Sequence, residues 1–256
     1  MRAAAVRWRI ERAGTVTSTS DLVWRRAAEG AGEGLVVTAR EQTAGRGRHG
    51  RRWRSPPGNL YASWLLRPPV PVAETASLSL VAGLAVRDAL ARTRVPADRL
   101  RLKWPNDILV GDAKLGGVLL EGRGTGGGTA IVVGVGINVA VAPADAGRPT
   151  ACLRALGDRE TTAEALLERL LDRFAARYRR WCAQGFAGQR AEWKGAAYRL
   201  GDMTSLRLGD ERLEGRFIDV DAEGALWLEL APGSRRRFMA GELLFPAPER
   251  GADAGG

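Results

Sequence analysis

Apolar residues in this chain fall into short compact runs broken by glycine, proline and charge, with two long stretches at helical spacing. Over residues 74–92, Leu78, Val81, Leu84, Ala85 and Ala89 recur as one core-facing stripe. Over 162–183, Leu167, Leu170, Leu171, Phe174, Tyr178 and Trp181 do the same, and Thr161 with Glu164 has the spacing of a capping box. A shorter helix over 21–29 follows an extended TVTST at 15–19, with Ser20 or Asp21 as its N-cap. The runs GLVVTAR (34–40), LYASWLL (60–66), LRLKW (100–104), DILVG (107–111), GVLLEG (117–122) and AIVVGVGI (130–137) predict strands. Several are apolar at odd and even positions alike, which puts them in a sheet covered on both faces. GRGTGGGT (122–129) reads as a flexible hairpin connection. After about residue 198 the texture changes to short runs separated by GD, DAEG and APG turns, the pattern of a small β-rich module.

Composition narrows the class. With 256 residues, 45% hydrophobic and 27% charged, the chain has the makings of one sizeable core plus an appendage. No run of about 18 uninterrupted apolar residues occurs, so the expectation is a cytoplasmic protein with no membrane partner. Two cysteines, Cys152 and Cys182, supply neither a zinc ribbon nor a disulfide framework. The net charge of +10 points to anionic partners. Nearly all of the basic residues are arginine, the only lysines being Lys103, Lys114 and Lys194. A lysine persisting in such a background marks a place that needs a compact ammonium instead of a planar fork.

Three segments carry candidate chemistry. Gly45 to Gly50 matches the glycine pattern of a dinucleotide fold, but that fingerprint must open a helix, and Pro56–Pro57–Gly58 bars one here. What remains is a glycine-rich loop carrying Arg46, Arg48, Arg51, Arg52 and Arg54 around His49 and Trp53. Such a loop can close over phosphate oxygens, lie solvated, or tether a nucleic acid. In the second segment, Lys103-Trp-Pro-Asn106-Asp107 is followed by Lys114-Leu-Gly-Gly117. Pro105 pushes Trp104 to an extended conformation and ends the strand, so Asn106 and Asp107 emerge at its end. Two cations, a carboxylate and an amide in an apolar context suit an anionic ligand or a salt-bridged turn, since burying lysines without partners costs several kcal/mol. The third segment is Gly134-Val-Gly136-Ile-Asn138, where an apolar strand ends in an amide able to ligate a metal, bind a substrate or form a turn.

Taken together, Ser18-Thr19-Ser20, Gln42 to Arg48, KWPND, KLGG and GIN resemble the signature order of biotin–protein ligases, over roughly residues 15–140 and more weakly through the C-terminal module. The resemblance implies an α+β fold: a class II synthetase-like biotin/lipoate ligase core with a mixed sheet and flanking helices over 1–198, an SH3-like β-barrel over 199–248, and a disordered tail at 249–256. It implies activation of biotin with ATP to biotinyl-5′-AMP, then transfer to a lysine of a biotin carboxyl carrier protein or domain, with Mg²⁺ on the phosphates. Carried over by position, Ser18, Thr19, Ser20, Gln42, Gly45, Arg46, Gly47, Arg48, Lys114 and Gly117 bind biotin. Arg46, Arg48, Arg51, Trp53, Lys103, Asn106, Lys114 and Asn138 face ATP. Lys114, Arg48 and Asp107 carry catalysis, with Asp107 near the incoming acceptor lysine and Asn138 the candidate metal ligand beside the phosphates. Trp104, Val135 and Ile137 are the apolar wall for the thiophane ring. The loop over 43–55 and the GRGTGGG connection are expected to be mobile without ligand. The chain departs from the usual pattern at Ser20, where asparagine is common, at His49, and at Ala240, usually glycine. Because the first motif begins at residue 18, no room is left for the DNA-binding domain of the longer family form. The expectation is a ligase without specific DNA, either monomeric or a weak, ligand-linked dimer. Two rivals stay open: a lipoate or octanoate ligase of the same fold, and a basic nucleic-acid-binding protein.

Overall fold

A computed structural model describes residues 6–125, 128–143 and 148–245. Seven strands form one mixed sheet: β1 (Arg9–Val16), β2 (Leu35–Gln42), β3 (Leu60–Leu66), β4 (Leu100–Lys103), β5 (Asp107–Val110), β6 (Ala113–Thr125) and β7 (Gly128–Ile137). Their spatial order is β1-β2-β3-β7-β6-β5-β4, with β1 and β2 parallel and every other neighbouring pair antiparallel. Helix α1 (Thr19–Ala28) lies on one face. Helices α2 (Leu78–Leu90), α3 (Ala163–Gln184) and α4 (Arg190–Ala196) belong to the other side, where α2 and α3 pack together. The predicted double covering of the sheet is what the fold displays. Alternation decides which side chain goes where: Ile131, Val133, Val135 and Ile137 of β7 enter the large core with α2 and α3, whereas Ala130 and Val132 meet Val23 and Trp24 of α1.

A second sheet follows, built from β8 (Met203–Leu208), β9 (Glu211–Val220), β10 (Leu226–Ala231), β11 (Ser234–Phe238) and β12 (Glu242–Leu244), in the order β11-β10-β9-β8-β12 and antiparallel throughout. Its apolar residues Leu206, Phe217, Val220 and Leu226 join the main core. Trp104 helps to seal the two sheets together: it is buried, and its indole N–H donates to Gly224 O at 3.0 Å. The peptide bond from Trp104 to Pro105 is cis. No helix among the described residues is long and apolar enough to cross a membrane.

Several boundaries differ from the sequence reading for identifiable reasons. Helix α1 starts two residues early, with Ser18 as N-cap in place of Ser20 or Asp21; the Ser18 hydroxyl makes no capping bond. Helix α3 is capped by Thr162, whose hydroxyl accepts from Ala165 N at 3.2 Å. The Thr161–Glu164 box does not form, because Thr161 donates to Asp158 at 2.8 Å and Glu164 accepts from Arg12 at 2.7 Å. Strands β6 and β7 run further into the glycine-rich stretch than expected, paired as far as Thr125 with Gly128; residues 126–127 of that connection lie outside the described residues, as does the 249–256 tail.

Candidate active site

The site occupies the part of the α1 face that α1 itself leaves open. Helix α1 covers Ala130 and Val132, but beyond its first turn the same face of β7 carries Gly134 and Gly136, with Gly117 of β6 opposite Gly136. Each glycine seats a functional side chain. A Cβ on Gly134 would lie 3.1 Å from Ser20 Oγ, one on Gly136 only 2.6 Å from the Trp53 indole, and one on Gly117 3.3 Å from Lys114 Nζ. Bare backbone therefore forms the floor, and close approach is what the glycines permit. Ile137 alternates to the far side and belongs to the core alone, whereas Val135 and Trp104 sit in that core and also border the cavity, so two of the three residues expected as its apolar wall reach it.

One end of the cavity is a cluster of hydroxyls. Ser63, from the otherwise apolar β3, places its Oγ 2.8 Å from Thr19 Oγ1 and 3.0 Å from Ser20 Oγ. The Gln42 amide oxygen accepts from Thr19 N at 2.9 Å and Thr19 Oγ1 at 3.1 Å, while its nitrogen donates to Ser55 Oγ at 2.9 Å. Gln42 is thus held at both ends and fixes the Thr19 hydroxyl. Ser18, Thr19, Ser20 and Ser63 are all buried, a concentration of polarity that suits a polar ligand head.

The arginine loop arches over this floor as a folded ribbon. Gly47 N donates to Arg51 O and Trp53 N to Gly45 O, and isolated bridges join Arg46 with Arg52 and Gln42 with Ser55. A single 3-10 turn spans Arg48–Gly50, with His49 exposed and left-handed at φ 55°. The loop is tied down on two sides. Arg46 forms a two-pronged pair with Asp21 of α1, at 2.9 and 2.5 Å. Arg51 does the same with Glu242 of the second sheet, at 2.7 and 2.6 Å, and Arg207 also contacts Glu242. Burial works to raise the Glu242 carboxyl, but these two guanidinium groups outweigh it and bring it to about 2. Arg48 donates to Gly241 O at 2.9 Å; burial pushes its guanidinium down, against the attraction of Asp107 and Glu242.

At the junction of hydroxyl end and arginine loop stands Lys114, buried, its Nζ 5.0 Å above the Trp53 ring centre and 2.6 Å from Asp107 Oδ1. The other carboxylate oxygen accepts from Arg148 Nη1 at 2.6 Å. Burial alone would raise the Asp107 carboxyl, yet Lys114 and Arg148 hold it below the ordinary range. Burial lowers the Lys114 and Lys103 ammoniums; the attraction of the one shared carboxylate, Asp107, offsets only part of that fall, and repulsion from Arg148 adds a smaller push in the same direction. The group carries more positive charge than its protein partners neutralise. Asn106 serves as a local brace, donating to Val118 O at 2.9 Å. Asn138 donates to Ala151 O at 3.0 Å, while its buried Oδ1 has no partner among the described residues; the Trp53 indole N–H is likewise unpartnered.

The predicted binding and catalytic residues other than Gly45 are therefore brought to one cavity, from Ser18 at its head to Lys103 and Asn138 at its far end, whereas Gly45 is buried beneath the loop, where a Cβ would lie 2.7 Å from Ser55 Oγ and Trp53 O. Sequence reasoning missed Ser63, Ser55, Arg148 and Glu242, all of which touch it or its immediate supports. Substituting Gly136 by alanine should dislodge the Trp53 ring at a stability cost of about 1–3 kcal/mol. The emission of Trp53, isolated by subtracting the spectrum of each protein's Trp53→Phe counterpart, should then shift to longer wavelength. An unchanged spectrum would mean that the indole does not rest on Gly136.

A covered mixed sheet with a hydroxyl-lined, glycine-floored cavity beneath a basic loop defines a ligase-type core, and comparison with known proteins agrees. The profile of the biotin/lipoate A/B protein ligase family matches residues 13–138, and that of the biotin protein ligase C terminal domain matches 200–245. The biotin–[acetyl-CoA-carboxylase] ligase of Paracoccus denitrificans is 42% identical over 215 residues, covering 82% of this chain and 89% of the relative. The ligase of the same description from Mycobacterium tuberculosis is 34% identical over 220 residues, covering 84% and 81%. Among solved structures, the biotin protein ligase of Aquifex aeolicus in complex with biotin and ATP superposes with a TM-score of 0.77 at 28% identity, covering 91% of this chain and 97% of that one. The chain belongs to the biotin/lipoate ligase family, in its biotin protein ligase branch.

Proposed function

We propose that this chain activates biotin with ATP and then joins it to a lysine of a biotin carboxyl carrier protein or domain. The observation that carries the proposal is the position of Lys114: a buried ammonium between a pocket of hydroxyls and a loop of guanidinium groups, where a carboxylate and a phosphate would have to meet. The hydroxyl cluster of Ser18, Thr19, Ser20 and Ser63 suits the ureido head of biotin, with Gln42 orienting Thr19. In the first step a carboxylate oxygen attacks the α-phosphorus, the bond from that phosphorus to the bridging oxygen breaks, and pyrophosphate leaves with the electron pair. Two anions must approach each other, so fixed positive charge at the point of contact lowers the barrier. Lys114 supplies it there, Arg48 and Lys103 beside it, and Trp53 with its free N–H is the surface on which a nucleotide would rest.

In the second step an acceptor amine attacks the carbonyl of the mixed anhydride, releasing AMP and a proton. Asp107 is a poor base at neutral pH, because a general base works best with a pKa near the operating pH. Its part is electrostatic: it anchors Lys114 and offers a buried negative charge near which an acceptor ammonium would arrive. No three His, Cys, Asp or Glu side chains converge among the described residues, so a magnesium ion would ride chiefly on phosphate oxygens. Among the described residues lining the cavity, Asn138 supplies a buried oxygen without a partner, Oδ1, which would suit such an ion. Magnesium would there neutralise phosphate charge. The two separate sheets, with α4 ending at Ala196, support a division into a catalytic unit over 1–198 and a C-terminal unit over 199–248. A dependence on ATP fits a cytoplasmic setting.

The test is pyrophosphate release from ATP and Mg²⁺ with biotin, and again with lipoate in its place. Release with biotin alone is expected. Release with lipoate alone would move the chain to the sister activity of the family. Release with neither, together with salt-steep binding to nucleic acid, would overturn the ligase reading.

A further inference from the structure

Arg148 comes from the segment that returns to the site after β7, and that segment is built onto Lys114. Lys114 N donates to Pro149 O and Ala151 N donates to Lys114 O, each at 2.9 Å, so the backbone of residues 149–151 runs as a parallel bridge beside the start of β6. Thr150 Oγ1 donates to Pro143 O at 2.7 Å, and Asn138 donates to Ala151 O, which fixes the segment from two further directions. The Arg148 guanidinium is thereby held on Asp107 Oδ2 while Lys114 holds Oδ1. Its setting differs from theirs in one respect. Lys114 and Asp107 side chains are each 9% exposed, whereas Arg148 remains 32% exposed and faces the cavity from its outer side.

A guanidinium has five N–H donors, and Asp107 engages one nitrogen of Arg148. Arg48, Lys103, Lys114 and Arg148 share one carboxylate within the cavity apart from Glu242, which Arg51 and Arg207 already occupy. An incoming polyanion would therefore find Arg148 with donors to spare, on the solvent side of the lysine assigned to the reacting centre.

We propose that Arg148 is the residue that receives the outer phosphates of ATP and the departing pyrophosphate. This rests on the adenylation reading given above. When the biotin carboxylate bonds to the α-phosphorus and the bridging bond breaks, the electron pair passes to pyrophosphate, and Arg148 donates hydrogen bonds to its oxygens. Arg148 turns partly from Asp107 to do so, and Asp107 stays with Lys114. A different role is open to the same geometry: Arg148 as a strut that keeps Asp107, and through it Lys114, in place. A strut serves both half-reactions, whereas a pyrophosphate contact serves only the first.

The experiment uses the full chain with Arg148→Ala and Arg148→Lys. Three quantities are compared with wild type: the KM for ATP in biotin-dependent pyrophosphate release, binding of inorganic pyrophosphate by calorimetry, and transfer from synthetic biotinyl-5′-AMP to a carrier domain. Arg148→Ala should raise the KM for ATP and the pyrophosphate Kd about tenfold each, the scale of one lost charge-assisted contact. Transfer from the ready-made adenylate should stay within about twofold, and Arg148→Lys should recover part of the loss because it restores the charge without the fork. Equal losses in both half-reactions, or unchanged ATP KM and pyrophosphate binding, would overturn the proposal. Absence of biotin-dependent pyrophosphate release in the wild type would instead defeat the adenylation reading, and this inference with it.

Discussion

Lys114→Ala should abolish biotin-dependent pyrophosphate release, with a loss of about 10³-fold in single-turnover rate, the scale for removing one preorganised charge from a transition state. The reasons lie in where the ammonium sits. It is buried, held at 2.6 Å by Asp107, stacked over Trp53 and seated on Gly117, which has no Cβ to push it aside. Alanine removes the charge at the point where two anions are to meet. Asp107 keeps Arg148 as a partner, so the fold should survive and circular-dichroism melting should move only modestly. Arginine at this position should not rescue. A planar fork needs room on both sides, and the space between Trp53 and the glycine floor is shaped for a point charge. Release within tenfold of wild type in Lys114→Ala would mean that the reacting centre lies elsewhere.

Much of this geometry was legible in the sequence, and the exceptions have physical causes. Strand β3 is observed at Leu60–Leu66, the very run LYASWLL, because Pro-Pro-Gly-Asn and Arg-Pro-Pro punctuate it on both sides. Helix α3 differs by one residue at each end from the predicted span, its aromatic and leucine stripe being unambiguous. Strand β1 was overlooked for the opposite reason. Arg9–Val16 is an edge strand with no fully buried residue, so its sequence carries no apolar alternation. Glu242 and Arg51 stand 191 positions apart, and no local pattern announces such a pair. Arg148 is 41 positions from Asp107, in a stretch that reads as an ordinary loop.

Two features of the site had a signal in the sequence that was not drawn out. In AIVVGVGI the glycines fall at alternate positions, so pleating alone puts Gly134 and Gly136 on one face and Val133, Val135 and Ile137 on the other. Applied to the site, that rule gives a bare glycine floor beside the apolar residues, a feature the sequence reading did not draw out. Ser63 was similarly visible as the one serine in an apolar strand, and a buried hydroxyl needs partners, which Thr19 and Ser20 provide. The lysines were the more productive clue. In a chain that writes nearly every cation as arginine, Lys103 and Lys114 both come to the cavity.

Removing Asp107 should cost stability on the same scale as any broken buried ion pair, about 3–5 kcal/mol at neutral pH for Asp107→Ala. The carboxylate is buried and sits among Lys114, Arg148 and Lys103. Without it three cations remain together with no counter-charge between them, and burial and mutual repulsion, which already lower both lysines, would lose the attraction that chiefly opposes them. Asp107→Asn keeps the shape and loses the charge, so it should reproduce most of the effect. The pH dependence follows from the direction of the shift. The folded carboxyl lies below its unfolded value of about 3.9. Its stabilisation is therefore fully present above the unfolded value and is lost as pH falls through the depressed folded one. Urea denaturation of wild type and Asp107→Asn should give a constant gap from pH 8 down to about pH 5 that narrows only in stronger acid. A gap that already closes near pH 6 would mean a carboxyl raised by burial, one able to accept the acceptor lysine's proton, and Asp107 would return as the base of the second step. A constant gap would leave it as the anion around which the cations of the site are assembled.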